Sequence, residues 1–278
     1  MYLVLIMVAP KVVSMSRFIA AMDHSGGSTG GVLERYEQEY TEDTKMEKVH
    51  AMRLRMVNSP DFNDKNIWGA ILYSDTVERG MVPLLKAKGI EAFLKVDSGC
   101  RPDGTLKEFE LAPMIGYAVR EGCYGTKMRS IVKHSDTVKL VVNQQFSKAK
   151  RIFDAGLMPI VEPEVPIDSS KKEVIERHLV SYLKTALQDY DGKCILKLTP
   201  PEETNLYSDL VNHPKVEKVV FLSGGYSTNE ACNRLGLNDN VTASFSRALS
   251  EGLTHGQTMF EFNAKISSNI KMISNAGS

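Results

Sequence analysis

Short apolar runs alternate along this chain with longer stretches whose apolar positions recur every three or four residues. The runs cover residues 18–23, 68–74, 92–97, 123–129, 158–165, 194–199, 218–223 and 241–246, and their composition predicts strands. Between them, residues 138–155 place Val141, Val142, Phe146, Ala149 and Phe153 on one stripe. Residues 171–188 repeat Val174, Ile175, Leu179, Leu183 and Leu187 in the same way, and both spacings predict amphipathic helices. Alternation of strand and helix implies parallel pairing with right-handed crossovers. Eight such units in 278 residues predict an α/β fold, a closed (β/α)8 TIM barrel in a single domain. An open doubly wound sheet is the alternative, but the G-x-G-x-x-G fingerprint is missing where it would be needed.

Within this pattern one residue is out of place. Lys197 sits inside Cys194-Ile195-Leu196-Lys197-Leu198-Thr199, with Asp191-Gly192 before the run and Pro200-Pro201 after it. Lysine is rarely buried without compensation, and desolvation favours the neutral, nucleophilic amine. A strand-end lysine snorkelling to solvent is the other reading. The remaining strand ends carry similar charges. Barrel enzymes place their chemistry there, and residues two apart share a face. Lys95 and Asp97 then share a face, as do Lys127 and Arg129, and Glu162 and Glu164, while Asp23 ends the first run. Unpaired burial of charge costs several kcal/mol, so five strands presenting ionisable groups at one depth point to chemistry rather than stray ion pairs.

The last two runs end differently. Phe221-Leu222-Ser223-Gly224-Gly225 leads into a helical stretch at 228–235, and Ser244-Phe245-Ser246-Arg247 into another at 248–253. Loops after strands 7 and 8 form the usual barrel phosphate site, where glycine amides approach the anion and an arginine can grip two oxygens. The Ser25-Gly26-Gly27-Ser28 loop could hold a second anion.

Composition narrows this further. Apolar residues make up 42% and charged residues 24%, as in a globule with a real core, and the formal net charge is zero. No electrostatic footprint for nucleic acid or an anionic membrane is present, so any anion must be held locally. Cys100, Cys123, Cys194 and Cys232 form no CxxC pair, which fits free thiols in a reducing, cytoplasmic setting. Residues 1–10 are apolar but short, with no basic region before them, so they read as neither span nor signal peptide. A second start at Met15 makes residues 1–14 an N-terminal appendage and 15–278 the barrel. The six histidines show no zinc-ligand spacing, so no metal is expected. Homo-oligomer formation stays open.

Assembled in order, these residues resemble the class I fructose-bisphosphate aldolases, particularly the shorter bacterial type. The resemblance runs from Phe18 to about Leu253. It rests on Ala20-Ala21-Met22-Asp23-His24-Ser25-Gly26-Gly27-Ser28-Thr29, Leu94-Lys95-Val96-Asp97, Gly125-Thr126-Lys127-Met128-Arg129, Pro159-Ile160-Val161-Glu162-Pro163-Glu164, Leu196-Lys197-Leu198-Thr199, Leu222-Ser223-Gly224-Gly225 and Ser244-Phe245-Ser246-Arg247. It implies reversible cleavage of fructose 1,6-bisphosphate, in glycolysis and gluconeogenesis, through a lysine Schiff base with no metal or other cofactor. The partners it implies are phosphorylated ketoses and trioses. Lys197 falls at the Schiff-base lysine, Glu162 at the acid/base that dehydrates the carbinolamine, and Asp23 at the carboxylate that takes the C4 hydroxyl proton. Lys127 and Arg129 match the cations near the scissile region and a phosphate; Lys95 matches a lysine close to the nucleophile. Ser223, Gly224, Gly225 and Arg247 match one phosphate site, Ser25 and Ser28 the other. Glu164 joins Glu162 on the catalytic face.

An ordinary lysine is less than about 0.1% neutral at pH 7, and Lys95 and Lys127 are expected to push Lys197 toward the amine by repulsion. The chain departs from the longer animal-type enzymes in three ways. It has no tyrosine after Tyr226; His24 stands where those enzymes carry a glutamate; and Gly31-Val32 replace a basic pair. His24 itself reads as a loop histidine touching solvent. The rival readings are another Schiff-base barrel, such as a transaldolase or deoxyribose-phosphate aldolase, and a barrel kept as a non-catalytic binding protein.

Overall fold

A computed structural model describes residues 17–277. The assignment of residues 1–14 as an appendage therefore lies outside the described residues. Eight parallel strands follow one another in sheet order. They are β1 (Phe18–Met22), β2 (Ile67–Leu72), β3 (Glu91–Lys95), β4 (Gly125–Ile131), β5 (Met158–Glu164), β6 (Cys194–Leu198), β7 (Val216–Phe221) and β8 (Thr242–Ala243). Helices alternate with them: α1 (Gly27–Arg35), α2 (Lys45–Val57), α3 (Ser74–Glu78), α4 (Met81–Ala87), α5 (Leu111–Arg120), α6 (Val138–Asp154), α7 (Lys172–Asp189), α8 (Ser208–Val211), α9 (Thr228–Gly236) and α10 (Arg247–Ser250). A last helix, α11 (Met259–Ala276), starts at a Thr258/Glu261 capping box and packs beside β8, α9 and α10.

Side-chain alternation divides the apolar residues into two cores. Residues on one face of each strand, such as Leu94, Met128, Val161, Leu196 and Leu198, pack against the helices. The other face supplies a smaller core inside the barrel: Ile19, Ala21, Ile71, Phe93, Ile160, Ile195 and Val220. Phe93 is the large residue of that layer, and its neighbours make room for it. A Cβ on Gly69 would come within 2.8 Å of its ring, and one on Gly125 would also lie 2.0 Å from the Met158 carbonyl. The interior is therefore filled rather than open. One pleat further toward the C-terminal ends, the same inward parity brings up Lys95, Lys127, Glu162 and Lys197. Packing of the layer below fixes the direction in which the charged layer points.

The eighth run differs from its sequence expectation. Ordered pairing covers only two residues of it, Val220↔Thr242 and Phe221↔Ala243. Beyond them the chain leaves the ladder, though the Ser244 N–H still donates to Phe221 C=O at 2.7 Å. The helix expected at 248–253 is the single turn α10. Between β8 and β1 the barrel is held by the Ala21 N–H donating to Phe245 C=O, 3.2 Å, and by Thr242 Oγ1 donating to Arg17 C=O, 3.3 Å.

Candidate active site

The charged layer opens into a cavity of about 270 Å³ at the C-terminal mouth. All the site residues proposed from sequence line it except Gly225, which lies just behind Gly224. A second, wider cavity of about 850 Å³ adjoins it and shares Ser25, Ser28, Lys95 and Arg129.

At the floor, four strands contribute a row of alternating charge. Asp23 follows β1, and its Oδ2 lies 2.7 Å from Lys127 Nζ on β4. The same ammonium lies 3.0 Å from Glu162 Oε2 on β5, and Glu162 Oε1 lies 3.1 Å from Lys197 Nζ on β6. Lys127, Glu162 and Lys197 are each no more than 4% exposed. Two cations and two carboxylates leave this buried row neutral, which is how it avoids the cost of isolated buried charge. Lys127 and Lys197 hold the Asp23 carboxyl well below the usual carboxylate range against the opposing effect of burial. Burial opposes the Lys127 ammonium too, but the Asp23 and Glu162 carboxylates hold it well above the usual lysine range. Among the described residues Glu162 Oε2 has no hydrogen-bond partner, so its contact with Lys127 is one of charge.

Lys95 and Lys127 were expected as the cations near Lys197, and the structure adds a carboxylate in direct contact with it. Lys95 Nζ is turned to Asp97 Oδ1 at 2.9 Å, and Glu162 stands between Lys127 and Lys197, touching both. Lys197 is buried as an ion-paired residue, with the Glu162 carboxylate 3.1 Å from its Nζ. Arg129 Nε forms a close ion pair with Glu164, which holds Arg129 at the rim between the two cavities.

Two loops frame the row. After β7, Gly224 (φ 57°) and Gly225 (φ 114°) adopt backbone conformations that favour glycine, exposing the turn to the cavity. Arg247 approaches from the other side; its Nη1 would lie 3.8 Å from a Cβ on Gly225. Among the described residues Arg247 makes no ion pair, so its guanidinium is available to an anion. After β1, Ser28 Oγ donates to Ser25 C=O at 2.9 Å and lies 3.2 Å from the Ser25 N–H, which locks the loop that opens α1.

His24 has contacts that its loop position does not reveal. It lies in the loop after β1, as expected, half-buried on the cavity wall, with Ser246 Oγ 3.2 Å from Nε2 and 3.4 Å from Nδ1. Burial pulls its imidazolium down to about 4, overriding the favourable Asp23 carboxylate, with Arg53 and Arg35 adding to the depression. Arg53, on α2 and 2% exposed, donates to His24 C=O at 2.7 Å and to Thr76 Oγ1 at 2.6 Å. Sequence reading passed over Arg53 and Ser246 as site residues. An arginine among the apolar positions of α2 was the available signal for the first; nothing local marked the second. Among the described residues, no three His, Cys, Asp or Glu side chains are placed to hold a metal ion.

The fructose-bisphosphate aldolase class-I family profile matches residues 4–190. The chain belongs to that family. A Clostridium acetobutylicum protein named fructose-bisphosphate aldolase class 1 is 43% identical over 281 residues, 92% of this chain and 93% of that one. A Synechocystis protein of the same name is 44% identical over 282 residues, 95% of this chain and 94% of its own. The solved fructose-bisphosphate aldolase from Plasmodium falciparum, crystallised with TRAP and a small-molecule inhibitor, superposes with a TM-score of 0.77 at 21% identity. It covers 94% of this chain and 90% of its own, and it supports the barrel fold.

Proposed function

We propose that this aldolase-family chain cleaves fructose 1,6-bisphosphate reversibly to dihydroxyacetone phosphate and glyceraldehyde 3-phosphate through an imine on Lys197. The observation that carries the reading is the buried row Asp23–Lys127–Glu162–Lys197, set between two loops suited to anions. A proton passes from the Lys197 ammonium to Glu162, 3.1 Å away, and the free amine attacks the C2 carbonyl. Glu162 returns that proton to the carbinolamine hydroxyl, which leaves as water. The protonated imine then accepts the electron pair of the C3–C4 bond while Asp23 removes the C4 hydroxyl proton. Glyceraldehyde 3-phosphate departs, the enamine is protonated at C3, and water releases dihydroxyacetone phosphate. The imine is the electron sink, so no metal is assigned to the reaction. Lys127 stays charged between the two carboxylates and keeps both close without letting them repel each other.

Arg247 with the Ser223-Gly224-Gly225 turn takes one phosphate; Ser25 and Ser28, beside Lys95 and Arg129, take the other. The free thiols Cys100, Cys123, Cys194 and Cys232 support a reducing, cytoplasmic setting, and no described helix is long and apolar enough to cross a membrane.

The test is reductive trapping. Borohydride added with dihydroxyacetone phosphate is expected to leave one adduct, on Lys197, located by peptide mass spectrometry. Glu162→Gln should slow that trapping by about 10²- to 10⁴-fold, since it removes the acid/base but keeps the lysine. Modification at another residue, or none, would overturn the mechanism.

A further inference from the structure

The two anion loops lie on opposite sides of the joint between β8 and β1. Ser25 and Ser28 follow β1; Arg247 follows β8. Other neighbouring strands are joined by ladders, up to the seven paired positions between β4 and β5. Across the β8–β1 joint the Ala21 N–H donates to Phe245 C=O at 3.2 Å and Thr242 Oγ1 to Arg17 C=O at 3.3 Å, and β8 itself is two residues long. One pleat above the Ala21 bond, at the mouth, His24 meets Ser246, the residue immediately before Arg247.

One end of this contact is fixed. Arg53 on α2 holds the His24 carbonyl at 2.7 Å, and its own position is set by Thr76 at 2.6 Å. The other end, Ser246, lies beyond the β7–β8 ladder, and its carbonyl accepts from the Ser250 N–H and Oγ at 3.3 Å each. We propose that His24 is a positioning residue that determines specificity. By holding Ser246 across the β8–β1 joint, it fixes the spacing between the Ser25/Ser28 and Arg247 subsites and so favours ketoses phosphorylated at both ends over those phosphorylated at one. This inference rests on the assignment of those two loops to two phosphates in the function proposed above.

The physical reason is geometric. The covalent length of a sugar bisphosphate sets the distance between its phosphates, so both subsites are filled only if the loops keep that spacing. A shift of about 1 Å at a positioning contact can cost about 10²-fold in rate. A substrate with one phosphate uses one loop and is less sensitive to the spacing. His24 is held neutral by burial, which suits it to bond a hydroxyl rather than compete with the arginine for the anion.

The experiment compares kcat/KM for fructose 1,6-bisphosphate and fructose 1-phosphate in wild type, His24→Ala, Ser246→Ala, the double variant and His24→Gln. The ratio of the two substrates on one preparation does not depend on how much of it is folded. His24→Ala is expected to lower the bisphosphate value by about 10- to 100-fold, with a loss at least about tenfold smaller for the monophosphate. His24→Gln, whose amide can still bond the hydroxyl, should restore most of the ratio. Because the contact is one object, the double variant should be no worse than the worse single one. An unchanged ratio, equal losses on both substrates, or multiplying losses in the double variant would each overturn the inference. Wild type that cleaves neither sugar would overturn the functional reading and this inference with it; active wild type with an insensitive ratio would overturn this inference alone.

Discussion

Replacing Lys127 with methionine keeps most of the side-chain volume but removes the cation from a buried row that is neutral only because it is there. Lys127 Nζ touches two carboxylates, Asp23 at 2.7 Å and Glu162 at 3.0 Å. At an effective dielectric near 20, each contact is worth about 5 kcal/mol of gross attraction, most of it offset by desolvation of the charges. Without Lys127, Lys197 must serve both carboxylates, and one of them is left uncompensated. Breaking a buried ion pair in this way costs about 3–5 kcal/mol. Urea unfolding at pH 7 should show that loss, while Lys127→Arg, which keeps the charge, should lose less. The pH dependence has a definite sign. Asp23 is held low in the folded protein, so its contribution is full above the ordinary carboxylate range, near pH 4, and is lost as pH falls below it. Lys127 is held high, so its contribution is full below about pH 10.4 and is lost as pH rises further. Both limbs should shrink in Lys127→Met. A variant within about 1 kcal/mol of wild type, with both limbs intact, would refute the argument that this lysine neutralises the buried carboxylates.

Two other outcomes follow from the same physics. The folded protein resists protonation of His24 until about pH 4, whereas an unfolded histidine binds its proton near pH 6.5. Stability should therefore fall as pH drops from 6.5 toward 4, by about 3 kcal/mol for this residue, and His24→Gln should remove that part of the slope; equal slopes in both proteins would sink the assignment. Gly125→Ala, whose Cβ would sit 2.0 Å from the Met158 carbonyl, should cost about 3 kcal/mol or more in thermal unfolding. Gly116→Ala, on α5 with nothing within 4 Å, should instead be neutral or stabilise by up to about 1 kcal/mol.

Much of the barrel was legible because its evidence is local. Period-two alternation in runs such as Phe93-Leu94-Lys95 and Ile195-Leu196-Lys197 states which residues share a face, and the structure keeps that parity at every charged strand end. The Ser-Gly-Gly turn was legible because the φ values of Gly224 and Gly225 demand glycine. Strand 8 was overestimated because an apolar run says nothing about whether a neighbour is present to pair with it. The contacts of His24 were hidden for a related reason: Arg53 from α2 and Ser246 from the β8 loop reach it from segments distant in the chain.

The sequence by itself determined the alternation of strand and helix, the inward direction of Lys197, Glu162, Lys127 and Asp23, and the candidate anion loops, since each depends on residue type and spacing along a few positions. Tertiary structure alone decided who touches whom among those inward groups. Both lysines were expected to repel Lys197. Instead Lys95 pairs with Asp97, and Glu162 stands between Lys127 and Lys197. Contact distance decides which charges pair, because Coulomb attraction falls with separation. Those distances are set by the closure of the barrel, which no single segment contains.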